Sequence, residues 1–166
     1  MDIQYEAFES KQEMYAYMNK QLRLIAGETA DTTAILANAS ALFMLELPDI
    51  NWAGFYLYNN GRLILGPFQG KPAVAEIAIG KGVCGTAAET LKSQLVEDVH
   101  THCNHIACDL ATSSEIVVPI TLSDGSLFGV IDIDSPLFSR FDEEDKKGLE
   151  CIAKIISNTV DKNAAS

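Results

Sequence analysis

Apolar positions recur at helical spacing in three parts of the chain. Met14, Met18, Leu22 and Ile25 fall three or four residues apart, which places them on one helix face, and Gly27 stops the run. Asp31 and Thr32 can cap a second helix over about Thr33 to Leu47, with Ile35, Leu36, Ala39, Leu42 and Phe43 inward and Pro48 after its end. A third run, Leu149, Ile152, Ala153, Ile156 and Val160, follows the acidic opening Phe141-Asp142-Glu143-Glu144-Asp145, which suits the positive end of a helix. Between the helices the pattern is that of strands. Trp52 to Tyr58, the turn Asn59-Asn60-Gly61 and Arg62 to Leu65 form one hairpin. Glu115 to Leu122, the turn Ser123-Asp124-Gly125 and Leu127 to Asp134 form another. Glu76 to Ile79 is a short strand running into Gly80, and Thr86 to Leu91 a short helix.

The stretch from Gln94 to Ser113 opens on a weak strand, Gln94 to Val96, and is otherwise polar and aperiodic. A loop of more than about 12–15 residues inside a compact domain is usually functional or disordered. Hairpins flanked by terminal helices predict an α+β domain with a mostly antiparallel sheet, the terminal helices on one face and the long loop on the other. No repeat or linker interrupts the chain, so residues 1–166 are expected to form a single domain.

Composition narrows the function. Hydrophobic residues make up 48% and charged residues 21%, enough for a core and too apolar for a disordered chain. A net charge of −11 argues against nucleic acid or an anionic membrane as partner. No apolar run approaches the ~18 residues of a membrane helix. The acidic, polar start MDIQYEAFESKQE does not read as a signal peptide, so a cytoplasmic location is expected.

Cysteines stand at 84, 103, 108 and 151, with no Cys-x-x-Cys pair. A disulfide framework and a structural zinc site are therefore both disfavoured, and Cys151 is assigned only packing. Gly80-Lys81-Gly82-Val83-Cys84-Gly85 matches a dinucleotide-binding glycine pattern, but the helix that follows is too short for that fold. A glycine turn with Cys84 in the first helical turn fits better. Backbone amides there favour a thiolate; the alternative is a small buried residue. His100, His102, Cys103, His105 and Cys108 crowd one stretch without a standard zinc spacing, so a reactive thiol near imidazoles is preferred to a metal cluster. Glu115, Asp132 and Asp134 lie in apolar strands, the two aspartates on one face. They are either a solvated face or a carboxylate trio able to bind an ammonium group or hold a proton. Trp52, Phe55 and Tyr56 are core residues or the aromatic wall of a small-molecule pocket.

Taken together, NWAGFYLY, GPFQGKPA, GKGVCGTAAET, EDVHTH, NHIACD, SEIVVPI and GVIDIDSP resemble the free methionine-(R)-sulfoxide reductases, which are single GAF domains. The match spans roughly residues 50 to 137. The resemblance implies reduction of free L-methionine (R)-S-oxide with thioredoxin as reductant, no metal or organic cofactor, and a homodimer. It implies Cys108 as nucleophile, Cys84 as a second catalytic cysteine, Glu115, Asp132 and Asp134 around the substrate amine and sulfoxide oxygen, and Trp52 and Tyr56 at its methyl-sulfur end. The chain departs from the family after GKPA, where Val74 replaces the cysteine that forms a disulfide with the nucleophile. Cys84 is the obvious substitute and Cys103 a possible second resolving thiol. Two other functions stay open on the sequence: a GAF sensor that binds a small molecule without turnover, and a peroxide-reactive switch using Cys84 and Cys108.

Overall fold

The computed structural model describes residues 7–102 and 109–165. Helices α1 (Lys11–Glu28) and α2 (Thr32–Glu46) lead into strands β1 (Trp52–Asn59), β2 (Arg62–Gln69) and β3 (Glu76–Ala78). Helix α3 (Gly82–Thr90), strand β4 (Gln94–Val96) and a 3-10 turn (Val99–Thr101) follow, then β5 (Ser114–Thr121), β6 (Leu127–Ser135) and α4 (Glu143–Ala165). Side chains close the helix starts. Ser10 accepts from the Glu13 N–H, Asp31 from that of Ala34, and Asp142 from those of Glu144 and Asp145. Each such cap is worth about 1 kcal/mol.

The strands form one six-stranded sheet in the order β3-β2-β1-β6-β5-β4, with every neighbouring pair antiparallel. Asn60 and Gly61 both take positive φ between β1 and β2, the primed turn geometry that matches strand twist. Alternation along the central strands divides the sheet into two faces. Ala53, Phe55, Ile116, Val118, Ile120, Ile131 and Ile133 join the buried faces of α1, α2 and α4 in the larger core. On the opposite face, Trp52, Tyr56, Val117 and Val130 pack with Val83, Cys84 and Ala87 of α3. The helices that begin and end the chain thus share one face, as expected.

Asp145 ties the terminal helices together. It is fully buried and accepts from Tyr15 Oη at 2.9 Å, Lys11 Nζ at 2.6 Å and Arg140 Nη1 at 3.2 Å.

The structure corrects several sequence expectations. Strand β2 continues past Leu65 through Gly66-Pro67, because a bulge in the β1–β2 ladder lets proline enter without leaving a ladder partner unpaired. Helix α3 begins at Gly82, four residues before the expected Thr86. Its Gly85 sits so close to β3 that a Cβ would lie 2.6 Å from the Ala78 carbonyl oxygen. The weak strand expected over Gln94–Val96 is present, as an edge strand paired with β5. Cys151 is exposed on α4 rather than packed in the core.

Candidate active site

The site lies on the α3 face of the sheet and follows from strand register. Glu115 on β5 is the cross-strand partner of Asp134 on β6, and Val117 that of Asp132. On the other side of β6, Trp52 pairs with Asp134, Gly54 with Asp132 and Tyr56 with Val130. Period-two alternation therefore puts Glu115, Asp132, Asp134, Trp52 and Tyr56 on the same side. Helix α3 covers them and lowers Cys84 into the group. Ligand atoms of Cys84, Glu115 and Asp132 all lie within 4.8 Å of one another.

All four titratable groups are nearly sealed from solvent: Cys84 is 4% exposed, Glu115 6%, Asp132 6% and Asp134 8%. The solvated-face alternative for the aspartates is thereby excluded. Burial pushes the Glu115 carboxyl well above the ordinary carboxylate range, and the charge of Asp134 adds to it. Asp132 is raised by burial and then by Glu115. Asp134 is raised by burial and then by Asp132 and Asp109. Asp132 is hydrogen-bonded to both Glu115 and Cys84. This is a carboxyl cluster whose acid forms are favoured by burial and mutual repulsion.

Cys84 differs from its sequence expectation. It is in the first turn of α3, yet burial, followed by the charges of Asp132 and Glu115, pushes its thiol well above the ordinary value. Desolvation and two carboxylates outweigh the helix amides, so the thiol form is favoured over the thiolate.

An aromatic wall flanks the cluster. Tyr56 Oη donates to the Val74 carbonyl at 2.9 Å, and Trp52 Nε1 donates to the Lys71 carbonyl at 3.0 Å. These two bonds pin the segment after β2 over the site. Trp52 stacks on Phe68 with ring centroids 5.2 Å apart. Gly54 makes room for that ring, since a Cβ there would lie 2.3 Å from Phe68 Cβ. Phe55 points the other way, into the larger core beside Phe43.

A small cavity is lined by Tyr56, Ile77, Val83, Cys84, Glu115 and Asp132, with Thr112 and Asp134 also on its wall. It leaves about 20 Å³ for the centre of a water-sized sphere, room for about one water molecule. Trp52 stands behind Tyr56 and Phe68 rather than on the described wall. A wider groove of about 670 Å³ runs along α4 beside Thr121 and Lys154, but no titratable residue on its described wall is buried.

Sequence reasoning missed one network. Asn51 Nδ2 donates to Asp109 at 3.3 Å and to Thr112 at 3.2 Å, and Lys71 Nζ lies 3.3 Å from Asp109. The Ala111 N–H, then Lys71 and Asn51, hold Asp109 below the ordinary carboxylate range. The network anchors the chain directly after residue 108. Its only sequence signal is the aspartate of NHIACD, because its partners come from distant segments. Cys103, His105 and Cys108 lie outside the described residues. Of the histidines before them, His100 is exposed and bonded to Asp98. His102 Nδ1 is buried without a hydrogen-bond partner among the described residues.

The chain matches a family model described as GAF domain over residues 29–161. It is 52% identical over 141 residues to the free methionine-R-sulfoxide reductase of Escherichia coli, covering 84% of each chain. The reduced form of fRMsr of Staphylococcus aureus superposes with a TM-score of 0.84 at 50% identity, over 88% of this chain and 94% of that one. The free methionine-R-sulfoxide reductase of Neisseria meningitidis, solved in complex with its substrate, gives a TM-score of 0.92 at 35% identity, over 99% and 98% of the two chains.

Proposed function

The chain belongs to the free methionine-R-sulfoxide reductases of the GAF-domain family, and from that premise we propose how its residues carry out the reduction of free L-methionine (R)-S-oxide. The observation that carries the reading is the buried carboxyl cluster of Glu115, Asp132 and Asp134 beside Cys84. Lys81 is the one basic residue on the described wall of the small cavity, and it is exposed to solvent. The substrate ammonium supplies a positive charge within the cluster, and a protein-bound methionine sulfoxide, which lacks that group, is a poor substrate. The described cavity has room for one water, so the amino acid enters by displacing part of its wall.

A sulfoxide sulfur is electrophilic when its oxygen is protonated or strongly hydrogen-bonded. Carboxyls held in their acid form by burial provide that proton. On the family resemblance, the thiolate of Cys108 attacks the sulfur. The sulfoxide oxygen, protonated by a carboxyl, is transferred to the cysteine sulfur as its bond to the methionine sulfur and the transient sulfur–sulfur bond break, so that a sulfenic acid forms and methionine leaves. A second thiol then condenses with the sulfenic acid, releasing water and forming a disulfide that thioredoxin reduces. Cys84 is the proposed second thiol, and its bond to Asp132 gives its proton an acceptor; Cys103 is the other candidate. On the family resemblance, Trp52 and Tyr56 contact the methyl-sulfur end; Tyr56 already lines the described cavity, and Trp52 is reached only as the wall is displaced. The chemistry needs reduced thiols, which suits the cytoplasm, and the homodimer implied by the resemblance is tested by molar mass in solution.

The test is methionine release from free L-methionine (R)-S-oxide, with dithiothreitol and then with a thioredoxin system, for the wild type and Cys108→Ala. Wild-type turnover that vanishes in the variant, with the S epimer untouched, is expected. Binding of the R epimer with no methionine released would overturn the reading in favour of a non-catalytic sensor.

A further inference from the structure

Three donors of two chemical kinds converge beneath α3: the sulfur of Cys84 and a carboxylate oxygen from each of Glu115 and Asp132, all within 4.8 Å of one another. Each residue is at least nine-tenths buried. Asp132 Oδ1 is sealed from solvent and has no hydrogen-bond partner among the described residues. A buried acceptor left in that condition is destabilising, and a cation bound to it would remove the cost. The adjoining space of about 20 Å³ suits a single atom rather than an organic group.

The donor set selects the kind of ion. One sulfur with two carboxylates suits zinc, which takes four tetrahedral ligands and accepts thiolate, carboxylate and water together. Magnesium and calcium require six or more oxygen ligands and gain nothing from sulfur.

We propose that Cys84, Glu115 and Asp132 form an inhibitory site for a thiophilic divalent cation of the zinc class. The ion replaces the thiol proton and the protons shared by the carboxyls, which are released to solvent, and a water or a fourth residue completes its shell. No electron is transferred and no covalent bond between residues changes. Competition with substrate rests on the proposed function, because both would occupy the same carboxylates; the metal site itself does not.

The experiment uses the full chain and Co²⁺ as probe. Co²⁺ is titrated into the wild type, Cys84→Ser, Cys108→Ser and Asp132→Asn, each first confirmed as folded by circular dichroism. A thiolate-to-cobalt band with one equivalent per chain is expected in the wild type and in Cys108→Ser. It should be lost in Cys84→Ser, weakened in Asp132→Asn, and bleached stoichiometrically by Zn²⁺. Absence of the band in the wild type, its survival in Cys84→Ser, or its loss in Cys108→Ser would overturn the proposal. Zn²⁺ protection of Cys84 from alkylation, mapped by mass spectrometry on the wild type, serves as a check that needs no variant. Single-turnover methionine release is measured in parallel without thiol reductant. Zn²⁺ at ten times its dissociation constant should raise the half-saturating substrate concentration about tenfold. A band without methionine release would sink the reductase reading alone, and release without a band would sink the metal site alone.

Discussion

Glu115 and Asp134 are direct cross-strand partners whose carboxyls face the same buried side of the sheet. Like charges directly opposite destabilise a sheet, so the pair persists by keeping protons.

That arrangement sets a pH dependence of stability. The folded-state pKa values of Glu115, Asp132 and Asp134 all lie above their unfolded values. The native state therefore binds more protons, and their contribution is full below the unfolded values and is lost as pH rises toward the folded ones. Urea unfolding of the wild type should show stability from this cluster falling as pH rises above about 4. Asp134→Asn, which cannot ionise, should flatten that slope and be more stable at pH 8 by about 1–3 kcal/mol. A variant as steep as the wild type would remove the carboxyl cluster as the cause.

Cys84 is expected to matter after the first turnover rather than during it. Cys84→Ala should release one methionine per chain in a single-turnover assay, then slow by roughly tenfold or more with thioredoxin. If its steady-state rate matches the wild type while that of Cys103→Ala falls, Cys103 is the resolving thiol.

On the family resemblance, Val74 lies at the position of a recycling cysteine, and Tyr56 Oη holds its carbonyl at 2.9 Å. Val74→Cys should restore that thiol with its backbone still anchored. Faster thioredoxin-supported turnover is expected, together with a 74–108 disulfide in the oxidised protein by peptide mapping. Tyr56→Phe releases the carbonyl and should cost about 1 kcal/mol of stability, read from urea unfolding.

Gly148 on α4 meets Tyr15 of α1 face to face. A Cβ there would lie 2.3 Å from the Tyr15 ring, and the Tyr15–Asp145 bond keeps the ring from moving away. Gly148→Ala should destabilise the protein by about 1–3 kcal/mol through overpacking, with the substrate affinity of the remaining folded protein unchanged. A midpoint equal to that of the wild type would show that the helix pair can separate.

Much of the fold is written in short-range pattern. Ser10, Asp31 and Asp142 cap their helices from adjacent positions, and Asn60-Gly61 sets the first hairpin by its own φ preferences. Alternation over Val130–Asp134 already places Asp132 and Asp134 on one face, because a strand has a period of two, and Glu115 joins them through the β5–β6 register. The cysteine at 84 and the aromatic pair Trp52 and Tyr56 could likewise be singled out from the sequence.

Whether that face is wet or dry was decided only in three dimensions. Burial of Asp132 depends on α3 crossing over it from residues more than forty positions away, and no local pattern encodes that cover. The same cover reverses the expectation for Cys84, since a helix start favours a thiolate only where water or a cation can accompany it. The Asn51–Asp109–Lys71 network and the bulge that admits Pro67 also join residues far apart in the chain. Spacing and backbone preference act over a few residues and so could be read from the sequence. Desolvation and pairing arise from what packs against each group, and only the tertiary structure supplies those neighbours.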